Sequence, residues 1–212
     1  VDLDRLEANL EKMAAHFRAA GKQLRPHTKS HKTPAIAHLQ LMAGAIGITC
    51  AKLGEAEAMA ATGIDDILVA NQVVGPRKVE RLMQLAGHCD IMMAVDHPDN
   101  LACLDAAAQA AGVAPRVLVE INIGHDRCGL KPGPEAVALA RRAASCQGLR
   151  YCGIMGYEGH IIDLADSAER DRRAEPHRGR GRRADGGGLR DYRRGADGRQ
   201  LPHHRRILAG SD

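Results

Sequence analysis

The run Arg25-Pro26-His27-Thr28-Lys29-Ser30-His31-Lys32 gathers side chains suited to nucleophilic and anion-binding chemistry. A lysine amine attacks a carbonyl to give an imine only in its neutral form. Nearby cations and partial burial depress a lysine pKa and favour that form. Lys29 stands between His27 and His31, which makes it the candidate, with Lys32 as competitor in the same run. Alternatives remain open on the pattern. Most lysines are solvated surface groups, and the two histidines could equally build a phosphate or metal patch. His27 and His31 do not complete a zinc set, because no third ligand is evident.

Other polar residues with chemical potential follow short apolar runs. Asn71 and Gln72 follow one, and Asp96 follows another. Arg127 lies in Gly124-His125-Asp126-Arg127-Cys128-Gly129, where the flanking glycines suit a turn. Tyr157 and His160 share Gly156-Tyr157-Glu158-Gly159-His160. An arginine is a permanent cation and donor. Tyr157 fits either a core edge or a ligand pocket, and His160 fits an acid–base or a structural role. Cys128 reads as packing rather than as a nucleophile.

The elements that must position these residues alternate regularly. Leu3, Leu6, Leu10, Met13, Ala14 and Phe17 recur at helical spacing. Extended segments are predicted at 24–26, 46–49, 67–70, 91–95, 117–123 and 151–155. Helices are predicted at 34–43, 55–61, 76–85, 98–111 and 134–144, with Thr33 as N-cap of the first. Apolar strands alternating with amphipathic helices imply a parallel α/β fold. A doubly wound sheet concentrates its site at one switch point, whereas a barrel collects it from many strand ends. Here the polar residues follow several strands, and no Gly-x-Gly-x-x-Gly follows the first. The expectation is therefore a partial (β/α)8 TIM-like barrel, with about six β/α units before the pattern stops.

Hydrophobic residues make up 44% of the 212 positions and aromatics only 2%, with no Trp and one Phe. The core must then be built from Ala, Leu, Ile, Val and Met. No apolar run is long enough to span a bilayer, and the opening VDLDRLEANL does not read as a signal peptide. Six scattered cysteines without a Cys-x-x-Cys pair suggest reduced thiols in a cytoplasmic protein. Charge is uneven. Residues 1–168 carry 17 Lys and Arg against 19 Asp and Glu, whereas 169–212 carry 13 Arg, no Lys and 7 acids.

This divides the chain into a barrel region, 1–168, and a basic low-order tail, 169–212. The tail could be a disordered segment or a nucleic-acid-binding arm, although the lack of Lys argues against the arm. A third reading is a shifted reading frame from about residue 175, since shifted GC-rich codons often spell Arg, Gly, Pro and Ala. A one-base shift allows the tail to be re-read as a strand-like piece and a Gly-rich loop, and such loops cradle phosphates.

The segment RPHTKSHKTPAIAHLQ resembles the cofactor segment of D-threonine aldolases and D-serine dehydratases. These belong to the alanine racemase-like, fold-type III pyridoxal phosphate enzymes. The resemblance continues through GAIGITCAKLGEAEAMAATGIDDILVANQVVGPRK, VLVEINIGHDRCGL and GIMGYEGH, and covers residues 1–168. It implies an alanine racemase N-terminal-type barrel in which Lys29, not Lys32, holds pyridoxal 5'-phosphate as a Schiff base.

The resemblance also places Arg127 against the pyridine nitrogen and Tyr157 in the cofactor pocket. His27, Asn71, Gln72 and His160 become further pocket candidates. It implies a D-β-hydroxy amino acid as substrate, cleaved to glycine and an aldehyde, with dehydration or racemization as alternatives on the same fold. An inactive, shortened gene product is a further reading. Intact relatives are expected to be homodimers and to use a divalent metal bound by a C-terminal domain. The ligands of that metal are not found in this chain, so no metal residues are assigned.

Overall fold

The structure, a computed structural model, describes residues 2–180. Helix α1, Leu3–Ala19, is capped by Asp2, whose carboxylate accepts from the Arg5 amide at 3.1 Å. A short 3-10 turn, Thr28–Ser30, carries Lys29. The chain then alternates α2 (Pro34–Met42), β1 (Ile48–Cys50), α3 (Leu53–Ala60) and β2 (Asp66–Gln72). It continues through α4 (Pro76–Ala86), β3 (Asp90–Val95), α5 (Pro98–Ala111) and β4 (Arg116–Ile121). The last described elements are α6 (Pro134–Ser145), β5 (Arg150–Gly156) and α7 (Ser167–Arg180). Proline opens α2, α4, α5 and α6, where its fixed φ is pre-set and its missing N–H costs nothing.

All strands run parallel in the order β1-β2-β3-β4-β5. Sequential order without reversal leaves no switch point, which is the topology of a barrel segment rather than of a doubly wound sheet. Strands β3 and β4 are buried along most of their length and β2 through its centre, Ile67–Val69, as parallel strands covered on both faces must be. Ile48, Ile67, Ile91, Met93, Val95, Val117 and Val119 join Leu82, Leu101, Leu104 and Leu139 of the helices in one core. That core is built on aliphatic side chains, as the composition requires.

Two expectations shift in detail. The first extended segment, 24–26, does pair with β1, but only loosely. The Leu24 and Pro26 carbonyls accept from the Ile46 and Thr49 amides at 2.9 and 2.8 Å, and His27 bridges to Thr49. Pro26 has no N–H to donate, so a regular ladder cannot form there. Thr33 does occupy the N-cap of α2, but its hydroxyl donates to the His31 carbonyl at 2.7 Å instead of capping the helix. Helix α7 runs through the change of composition near residue 170. Most of the Arg/Gly-rich tail, 181–212, lies outside the described residues.

The starts of the strands are tied by alternating charges. Asp66 accepts from Arg25 at 2.8 Å and also pairs with Arg116. Asp90 pairs with Arg116 at 2.9 Å and with Arg150 at 2.6 Å. Burial pushes the Asp66 carboxyl up, but hydrogen bonds and charge from Arg25 and Arg116 outweigh it and hold its pKa below the ordinary value.

Candidate active site at the strand ends

Lys29 is placed by the residues on either side of it. Thr28 is fully buried, and its hydroxyl donates to the Thr49 carbonyl at 3.1 Å. The Thr28 carbonyl accepts the His31 and Lys32 amides, which closes the turn. The His27 Nδ1 accepts the Lys29 amide at 3.2 Å. Burial and then the Lys29 charge lower the His27 pKa, so this ring is neutral at pH 7 and can accept that bond. His27 therefore supports the turn as a neutral acceptor. Lys29 itself is exposed, in contrast to the partial burial expected from the sequence.

The two lysines of the run separate clearly. The Lys32 backbone is left-handed at φ 49°, and its ammonium faces Glu55 at 3.9 Å. The Lys29 Nζ instead lies 5.8 Å from the centre of the Tyr157 ring. The Arg127 guanidinium reaches the same ring, at 5.1 Å. Three candidate residues from three separate segments of the chain thus meet around one aromatic ring. Cations within about 6 Å of a ring centre are attracted by its quadrupole. His125 stands edge-on to Tyr157 with centroids 5.4 Å apart, and His160 stacks on His125 at 6.5 Å.

Arg127 sits in the connection after β4. Gly129 is required there. Its φ is +91°, and a Cβ would lie 2.7 Å from the Asn122 amide nitrogen. Asn122 fastens the other limb, accepting the Gly124 and Asp126 amides at 3.0 and 3.2 Å. Hydrogen bonding to Cys128 raises the Arg127 pKa, which keeps the side chain cationic. Burial and then the bond to Glu120 raise the Cys128 pKa. Cys128 is therefore a neutral thiol at pH 7 and a poor nucleophile.

Asn71 and Gln72 diverge. The register of β2 against β3 slips between Val69 and Gln72, and such a bulge re-aims side chains. Asn71 is exposed, and its side chain is spent locally on the Ala51 carbonyl and the Gln72 amide. The Gln72 side-chain nitrogen, Nε2, donates to Asp96 at 3.0 Å and to Glu120 at 2.5 Å. Glu120, 3% exposed, is a buried acid beside the candidate site that sequence reasoning missed. Its signal was an acid inside the apolar run VLVEINI.

Among the described residues, no group of three or more His, Cys, Asp or Glu could hold a metal ion. No helix among them is long and apolar enough to cross a membrane. All six cysteines are free.

Comparison with known proteins gives a consistent family. The family described as alanine racemase, N-terminal domain, matches residues 1–179. A D-threonine aldolase from Arthrobacter sp. is 41% identical over 170 residues, covering 80% of this chain and 45% of the relative. A 3-hydroxy-D-aspartate aldolase from Paracoccus denitrificans (strain Pd 1222) is 40% identical over 177 residues, covering 82% and 45%. The crystal structure of D-threonine aldolase from Filomicrobium marinum superposes with a TM-score of 0.87 at 43% identity, covering 90% of this chain and 52% of that one. The chain spans about half the length of these relatives.

Proposed function

From the premise that this chain belongs to the alanine racemase N-terminal domain family, we propose that it carries the cofactor-binding part of a pyridoxal phosphate-dependent lyase. The substrate class is D-β-hydroxy amino acids, and the reaction is cleavage of the Cα–Cβ bond to give glycine and an aldehyde. One observation carries this reading: Lys29 and Arg127 converge on Tyr157, while the competing Lys32 faces Glu55 instead.

The donor set fits the cofactor. An exposed primary amine can reach the cofactor aldehyde, a permanent cation stands close by, and one aromatic ring lies within about 6 Å of both. When bound, pyridoxal phosphate supplies an electron sink for the pair released by the breaking bond. Lys29 is the group that would hold it. Arg127 would present a fixed positive charge toward it and, being unable to give up a proton, would not protonate a ring nitrogen. Tyr157 would form one wall of the pocket and keep both cations in place. His125, edge-on to that wall, and His160, stacked on His125, are imidazoles that would be able to hold a proton there. A cytoplasmic setting belongs to this reading and is supported by six unpaired cysteines.

The test is product analysis with D-threonine and D-3-hydroxyaspartate in the presence of pyridoxal phosphate and a divalent metal. Equimolar glycine and aldehyde is the expected result. Ammonia with an oxo acid would replace cleavage by dehydration. Change of α-configuration alone would assign a racemase.

A further inference from the structure

The floor beneath Arg127 contains a polar cluster that the proposed chemistry does not use. Glu120, at the end of β4, is almost completely buried. A buried carboxylate is costly unless its oxygens are satisfied. Here one oxygen accepts from Gln72 at 2.5 Å and the other from the Cys128 thiol at 3.0 Å. The second hydrogen of the Gln72 amide goes to Asp96, just after β3, at 3.0 Å. The same Asp96 oxygen accepts the Gly129 amide at 2.9 Å.

Two of these bonds, from Cys128 and Gly129, run from the connection that carries Arg127 to a strand end. Gly129 and Cys128 immediately follow Arg127. Their partners stand at the ends of β3 and β4, and Gln72 of β2 links those partners to each other. The backbone adds two more bonds: Asn122 to the Leu130 carbonyl at 2.8 Å, and Leu130 to the Glu120 carbonyl at 3.0 Å. A network in which every member is satisfied fixes one geometry more firmly than its separate bonds would.

We propose that Gln72, Asp96, Glu120 and Cys128 form a latch that holds the β4–α6 connection, 122–130, and thereby sets the position of Arg127. Gln72 is then a positioning residue, its amide committed to two carboxylates rather than to substrate. The bulge that ends β2 serves to turn Gln72 into this bridge. The inference rests on the reading of Lys29 and Arg127 as the cofactor site only for its consequence, not for the latch itself.

Hydrogen exchange on the cofactor-free chain tests the latch directly. Gln72→Glu keeps the shape but places a third acid against Asp96 and Glu120. Amides of 122–130 should exchange about tenfold faster, because bonds to charged acceptors are among the stronger ones. Amides of β3 and β4 should be unchanged. Cys128→Ala, a milder variant in case the first unfolds, should speed the same segment, and Cys128→Ser, which keeps a donor, should restore it. A second readout is the visible imine absorbance on adding pyridoxal phosphate. Cys128→Ala should need more cofactor to reach half-saturation, and Cys128→Ser should return toward wild type. Wild-type exchange rates in 122–130 for both Gln72→Glu and Cys128→Ala would overturn the latch. An absent imine band in the wild type would instead overturn the cofactor reading and leave the exchange result to stand alone.

Discussion

The two ends of the same strands are built on opposite principles. At the starts, Asp66 and Asp90 are each held by two arginines, and the charges are consumed by one another. Beside the finishes, Lys29 and Arg127 are exposed and both approach the Tyr157 ring. A single strand shows both: β2 opens on Asp66, locked between cations, and closes on Gln72, beneath the site. Strand β4 opens on Arg116 and carries Glu120 next to its last residue, Ile121. Charges that satisfy each other stabilise a fold, whereas charges left facing an open surface are available to a ligand. In barrels the face at the strand C-termini is the one that carries chemistry.

Changes at the strand starts should therefore act on stability, and changes at the finishes on cofactor binding. The largest stability effect is expected for Arg116→Ala, which leaves Asp66 and Asp90 facing each other with half their partners gone. A loss of about 3 kcal/mol is predicted by denaturant unfolding, in the range for breaking a shielded ion pair. The folded fraction should still give a normal imine band. Loss of that band in folded protein would break the division between the two ends.

Asp66→Asn should cost less, about 1 kcal/mol at neutral pH. Its pKa is depressed in the folded state, so its contribution is fully present above the unfolded value of about 3.9 and is lost as pH falls through the folded value. The wild type should lose stability on acidification in that window, and the variant should lose less. Equal acid limbs in the two unfolding curves would remove Asp66 from the lock. At the other end, Tyr157→Ala should weaken pyridoxal phosphate binding about fivefold through loss of the shared cation–π face. Tyr157→Phe should hardly change it, and neither should alter the melting temperature much.

The elements were readable from the sequence because apolar periodicity and helix-opening prolines agree locally. The alternation of 67–70, 91–95 and 117–123 with helices gave the parallel topology, and β2, β3 and β4 fall on those segments. The first extended piece was less legible in its pairing, because Pro26 removes a donor while the apolar pattern stays strand-like. At the site, Lys29, Arg127 and Tyr157 are brought together, but pattern alone could not do so, since they lie far apart along the chain and meet only through the fold. Glu120 escaped notice because its partners, Gln72 and Cys128, are 48 and 8 residues away. The separate fates of Asn71 and Gln72 depend on a bulge that no residue type announces. For the segment from about residue 175, we propose a shifted reading frame. Sequencing the encoding DNA should reveal a base gained or lost there, and an intact frame matched by peptide mass would refute it.

The central claim is that Lys29 is the imine-forming lysine at the open end of this barrel segment. Visible absorbance on addition of pyridoxal phosphate tests it, with wild type, Lys29→Ala and Lys32→Ala compared at equal folded concentration. The imine band should appear in the wild type and in Lys32→Ala and be absent from Lys29→Ala. A band of unchanged intensity in Lys29→Ala would contradict the account.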